Sequence, residues 1–171
     1  SAKEKIDKTL KDIYRKHEEV VRRVEKKHRD IHREHEEVVR RVEEEHRRIL
    51  DELRKAPVDE DVIRKIEKNV EEVKREIDKS DDDIRRNIKE VKDEMDKSNE
   101  ELKRKIDELR KANLPEEEAK KFLDKLDKEV RDSMKRLEDH VRETKKRVEE
   151  SVRRLEEHVK RTEEEVRETA T

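Results

Sequence analysis

Six of the seven histidines recur in pairs eighteen residues apart: His17 and His35, His28 and His46, His140 and His158. Imidazole is the side chain whose ordinary pKa, near 6.5, puts its charge change between about pH 5 and 8. A neutral ring donates from one nitrogen and accepts at the other, whereas a protonated ring only donates. Histidines at regular positions among aliphatic residues therefore point to proton sensing. The copying extends beyond them. HEEVVRRVEKKHRDIHRE, starting at His17, is followed by HEEVVRRVEEEHRRILDE, starting at His35. Val20, Val21 and Val24 return as Val38, Val39 and Val42, and Ile31 returns as Ile49. Eighteen residues are five turns at about 3.6 residues per turn, so each copy comes back to the same helical face.

Three amphipathic helices position these rings. In the first, apolar or small polar residues fall at steps of three and four from Ile6 through Leu10, His17, Val24, His28, Ile31, His35, Val42 and His46 to Leu53. It would be roughly 80 Å long at about 1.5 Å per residue. Tyr14, Val21, His32, Val39 and Leu50 flank the stripe. Ala56-Pro57-Val58 interrupts the helix, because proline lacks a donor and disfavours helix at the residue before it. The second stripe runs Ile66, Asn69, Val73, Ile77, Ser80, Ile84, Asn87, Val91, Met95, Ser98, Leu102 and Leu109. Asn113-Leu114-Pro115 is the second break: Asn113 suits a left-handed position and Pro115 a first helical one. The third stripe runs Phe122, Leu126, Val130, Ser133, Leu137, His140, Val141, Thr144, Val148, Ser151, Leu155, His158, Val159, Thr162 and Val166. Helices near 3–55, 58–112 and 115–169, joined by short loops, predict one all-α domain over 1–171. It is an antiparallel three-helix bundle, up-down-up. A heptad repeat would impose a supercoil; a strict 18-residue repeat predicts nearly straight helices.

Composition narrows the function. Sixty per cent of the chain is charged, and 50 basic residues nearly balance 52 acidic ones, so no basic surface for nucleic acid stands out. No apolar run approaches the ~20 residues of a membrane span, and no leader peptide is visible. Without cysteine there is no thiol chemistry, and without glycine no phosphate-cradling loop. No nucleophile-base-acid set stands out from the carboxylates, so no enzyme and no cofactor are expected. His28, His32 and His35 have chelating spacing, but the inward histidines match Ser, Thr and Asn rather than carboxylates, so no metal is expected.

Folding the first helix back on the second puts His17 opposite Ser98, His28 opposite Asn87, His35 opposite Ser80 and His46 opposite Asn69; each pair of numbers adds to 115. Ser133, Thr144, Ser151 and Thr162 lie 116 after the same four histidines, on the parallel third helix. Four polar layers result. They are His17/Ser98/Ser133, its copy His35/Ser80/Ser151, His28/Asn87/His140/Thr144, and its copy His46/Asn69/His158/Thr162. Aliphatic layers such as Val24/Val91/Leu137 separate them. All six histidines are expected to point inward and contact their own layer, with His32 left at the edge.

The HEEVVRRVE units, the HVRETKKRVEESVRRLEEHVKRTEEEV stretch and the registered layers resemble de novo designed helical bundles with buried histidine hydrogen-bond networks. The resemblance implies a pH-responsive structural protein with protons as effector and itself as partner. Some designs of this kind assemble into filaments at neutral pH and come apart in acid. It implies no natural location, only a soluble recombinant protein, cytoplasmic on expression. The alternatives are a static, hyperstable scaffold whose networks serve specificity, or a metal-binding bundle. Asparagine or glutamine would serve specificity without titrating, so the choice of histidine favours the pH reading.

Overall fold

The computed structural model describes residues 2–169. Three helices, α1 (Ala2–Lys55), α2 (Glu60–Ala112) and α3 (Glu116–Thr169), form a three-helix bundle, with no strand among the described residues. Each helix ends where its sequence stops supporting it. The α1 ladder runs out before Pro57, with the Ala56 amide donating to Glu52 and Leu53 carbonyls at 3.2 and 3.3 Å. α2 starts two residues later than the pattern suggests. Asp59 stays outside as the cap, its carbonyl accepting from the Val62 and Ile63 amides at 3.1 and 3.3 Å. Glu60 and Asp61 then meet the positive end of the helix dipole. Asn113 has φ of 44°, the left-handed conformation that ends α2. Pro115 sits just before α3 rather than within it, and its carbonyl accepts from the Ala119 amide at 2.9 Å.

The chain divides into two compact units, and every helix contributes to both. One comprises α1 up to Arg29 with Asn87–Glu143; the other comprises Asp30–Arg86 with α3 from Thr144. In the first, Leu10, Ile13, Leu102, Ile106, Leu123 and Leu126 belong to a buried cluster on which Tyr14 and Phe122 pack partly buried. Val24, Val91 and Leu137 are each about 1% exposed, as the aliphatic layer requires. In the second, Val38, Val42, Val73, Ile77 and Leu155 form one cluster. Ile49, Leu53, Ile66 and Val70 form another. Val39 and Leu50, at the stripe edge, pack against these clusters. No large hydrophobic is exposed among the described residues.

Ion pairs between helices mark the register inside each unit. Asp7 pairs with Arg110 at 3.7 Å and Arg23 with Glu138 at 3.6 Å in the first unit. Arg54 pairs with Glu67 at 3.5 Å in the second. These are exposed pairs worth at most ~1 kcal/mol each, so they report register more than they supply stability.

Candidate functional site

The two serine layers form as their spacing requires. In the first unit His17 Nε2 lies 3.0 Å from Ser98 Oγ, which lies 3.0 Å from Ser133 Oγ. In the second, His35 Nε2 lies 3.1 Å from Ser80 Oγ, which lies 2.7 Å from Ser151 Oγ. Both rings are 0% exposed. A helix returns the histidine to the same inward face after five turns, and the short serines opposite leave room for the ring. The far ring nitrogen differs. His35 Nδ1 is 3.0 Å from Asp81 Oδ1, close enough for the charges to act but off the line of a hydrogen bond. Beside His17 the corresponding residue is Asn99, and its buried Oδ1 and the ring's Nδ1 both lack a partner in hydrogen-bonding geometry.

The other two layers depart from the pattern. His28 and His46 are buried, yet Nε2 of each has no hydrogen-bond partner. Asn69 donates instead to Glu165 Oε2 at 2.8 Å, and Thr162 donates to the His158 carbonyl of its own helix at 3.0 Å. Asn87 is half-buried and Thr144 buried. His140 and His158 are not core residues: their side chains are 42% and 25% exposed, and Nε2 of each faces a carboxylate, Glu94 at 3.5 Å and Glu76 at 3.6 Å. They lie four residues before Thr144 and Thr162, about 40° round the helix, enough to bring them to the edge of the stripe. His32 is at the edge too, with Nδ1 3.3 Å from Glu36 on the same helix. Asp81, Asn99, Glu76 and Glu94 are therefore site residues that the stripes do not mark; the first two are themselves an eighteen-residue pair beside Ser80 and Ser98.

Burial holds all four core imidazoles below their ordinary pKa of 6.5, and it is the largest influence on each. The second influence separates them. Repulsion from His140 pushes His28 further down, and repulsion from His158 does the same to His46. Attraction to Asp81 pulls His35 back up, and the neighbouring Asn99 amide does so for His17.

Two openings reach the layers. A groove of about 480 Å³ in the first unit is lined by Ser98, Ser133, Lys97, Glu101 and Arg136, among others. One of about 280 Å³ in the second unit is lined by His46, Leu50, Val70 and Lys74 with others, so solvent comes close to that ring. No cluster of three or more His, Cys, Asp or Glu suited to a metal occurs among the described residues, and no described helix is long and apolar enough to cross a membrane. No protein-family model, curated protein or solved structure matches the chain.

Proposed function

We propose that the chain is a pH-responsive structural module of designed origin, folded at neutral pH and disrupted when protons enter its histidine layers. One observation carries this reading: four imidazoles are buried to 3% exposure or less, and each presents a ring nitrogen with no hydrogen-bond partner. Protonating such a ring buries a charge. An uncompensated buried ion costs several kcal/mol, against a typical domain stability of ~5–15 kcal/mol. The copied eighteen-residue units support a designed origin.

The direction follows from linkage. The unfolded chain binds protons near pH 6.5, whereas the folded chain binds them only at lower pH because burial lowers each of the four pKa values. Stability is thus complete above about 6.5 and is lost as the pH falls from there towards the folded-state values. Up to four protons enter together, so the loss is steep.

Self-association at neutral pH, into a filament, is part of the proposal. It would have to be carried by charged side chains of both signs, since no large hydrophobic is exposed among the described residues. Circular dichroism at 222 nm from pH 8 to pH 3, with sedimentation at each step, tests both parts. A cooperative loss of helix or of assembly is expected, with its midpoint between about pH 4.5 and 6.5, above the ~4 of ordinary carboxylates. Full helicity and unchanged mass down to pH 4 would overturn the acid response. A monomer at pH 7.5 at every concentration would remove the assembly and leave the monomeric switch.

A further inference from the structure

The second unit holds more than a hydrogen-bonded layer. Ser80 Oγ lies 3.1 Å from His35 Nε2, and the opposite ring nitrogen lies 3.0 Å from a carboxylate oxygen of Asp81. A hydroxyl bonded to an imidazole, with a carboxylate close behind the ring, supplies the parts of an activated nucleophile. We propose that Ser80, His35 and Asp81 form a nucleophilic site that accepts an acyl group from small, uncharged aryl esters.

Proton positions follow from Asp81. A carboxylate only accepts, so the neutral ring keeps its proton on Nδ1, on the side of Asp81. Nε2 is then the acceptor and Ser80 donates to it. Ser151, 2.7 Å away, donates in turn to Ser80 Oγ. The hydroxyl is therefore aimed at its base, with the second lone pair of Oγ available to an incoming carbonyl. The Nδ1 contact is short but off-line, a looseness common before substrate binds. His35 is fully buried, which strengthens its attraction to the carboxylate, while Ser80 and Asp81 are half-buried, so the nucleophile is approached from the α2 side.

In the reaction Oγ bonds to the carbonyl carbon as its proton passes to Nε2. The bond from carbon to the phenolic oxygen then breaks, and the phenol leaves with the proton from Nε2. Water, deprotonated by the same nitrogen, releases the acid and restores Ser80. The helices keep their amides in their own ladders. The donor at hand for the developing oxyanion is the Ser151 hydroxyl, once it turns from Ser80 Oγ. A dedicated pair of oxyanion donors is worth far more, since loss of even one costs about 10²–10³-fold, so turnover is slow and covalent capture is the sensitive readout.

The molecule contains its own control. His17, Ser98 and Ser133 repeat the layer eighteen residues away, but Asn99 stands where Asp81 stands, so the base has no carboxylate behind it. A hydrogen-bonded layer needs no carboxylate there, since the sibling forms the same serine contacts with an amide.

The experiment uses the full chain at pH 7.5 and diisopropyl fluorophosphate, whose phosphorus stands in for the carbonyl carbon and whose fluoride is the leaving group. Peptide mapping over time reads which hydroxyl is labelled. General-base assistance is worth about 10²–10⁴-fold, so Ser80 should be labelled at least about tenfold faster than Ser98. D81N should bring Ser80 down to the rate of Ser98. N99D should raise Ser98, which lines the open groove, towards the wild-type rate of Ser80. Both changes conserve shape and reproduce a residue the sibling layer already tolerates, and helicity at 222 nm checks the fold. Equal labelling of Ser80 and Ser98 in the wild type, or labelling of Ser80 unchanged by D81N, overturns the proposal. Labelling reads the nucleophile and circular dichroism against pH reads the acid response, so failure of one is distinguishable from failure of the other.

Discussion

His17 in one unit and His35 in the other occupy copied positions. Both are fully buried, and both are bonded through Nε2 to an α2 serine that is bonded to an α3 serine. The main difference is Asn99 beside His17 and Asp81 beside His35; His32, where the first unit has Tyr14, adds a smaller repulsion at His35. An imidazolium formed at His17 meets an amide dipole; one formed at His35 meets a negative charge at 3.0 Å. Burial lowers both pKa values, but Asp81 offsets part of the lowering through its charge and Asn99 only through the dipole of its amide. Copying the geometry of a layer therefore does not copy its response to protons. That response is set by the residue behind the ring.

The largest expected effect comes from erasing what the units share. Replacing His17, His28, His35 and His46 together with glutamine keeps a side-chain amide near each ring position and removes every buried titrating group. The acid transition should then fall by about one pH unit or more, into the range of the carboxylates, and become shallower because four protons no longer enter. Circular dichroism against pH checks it. A quadruple variant with the wild-type midpoint and slope would place the response in the surface carboxylates and defeat the burial account.

Much of this comparison was legible in the sequence. The stripes and the breaks at Pro57 and Asn113 set the three helices. The constant of 115 between facing residues placed His17 on Ser98 and His35 on Ser80 before any coordinate, since antiparallel helices with one tight turn have a single register that aligns their stripes. What escaped was polar and lateral. Asp81 and Asn99 lie one position off the stripe, and in a chain that is 60% charged an acid there carries no signal. His140 and His158 shared a column with core residues but sit about 40° from Thr144 and Thr162, which turns them to Glu94 and Glu76. Thr162 met its bonding need on its own helix, a local alternative open to any threonine.

Exchanging the distinguishing residue is the next test. D81N removes the charge that favours protonated His35, so more stability is lost in acid and the midpoint should rise. N99D gives His17 a carboxylate, and its midpoint should fall. Asp81 is about a third exposed, which keeps the pair near ~1 kcal/mol. With up to four protons entering, stability changes by ~5 kcal/mol per pH unit, so each midpoint moves by about 0.2 of a pH unit. Paired titrations in one buffer series resolve that. Shifts of the same sign in both variants would mean that the carboxylate acts through general surface charge and not through the ring it faces.

The smallest effect belongs to the edge histidines, and their replacement sharpens the comparison by excluding them. H140Q and H158Q together remove two influences that oppose one another. A protonated ring at either position stands beside a carboxylate, Glu94 at 3.5 Å or Glu76 at 3.6 Å, so its loss costs some stability in acid. These side chains are substantially exposed, and such pairs are worth ~0–1 kcal/mol. The same rings repel protons from His28 and His46, so removing them lets the buried rings protonate at higher pH. A smaller gap from the unfolded value means less stability lost to acid at those rings. With the two contributions opposed, the midpoint should move by less than about 0.2 of a pH unit. The informative reading is therefore site-resolved. In proton NMR titrations above the transition, the imidazole signals of His28 and His46 should begin to shift at higher pH in the double variant, while those of His17 and His35 stay where they were. A midpoint displaced as far as in the buried quadruple variant would make the edge pair the sensors and reverse the assignment made from burial.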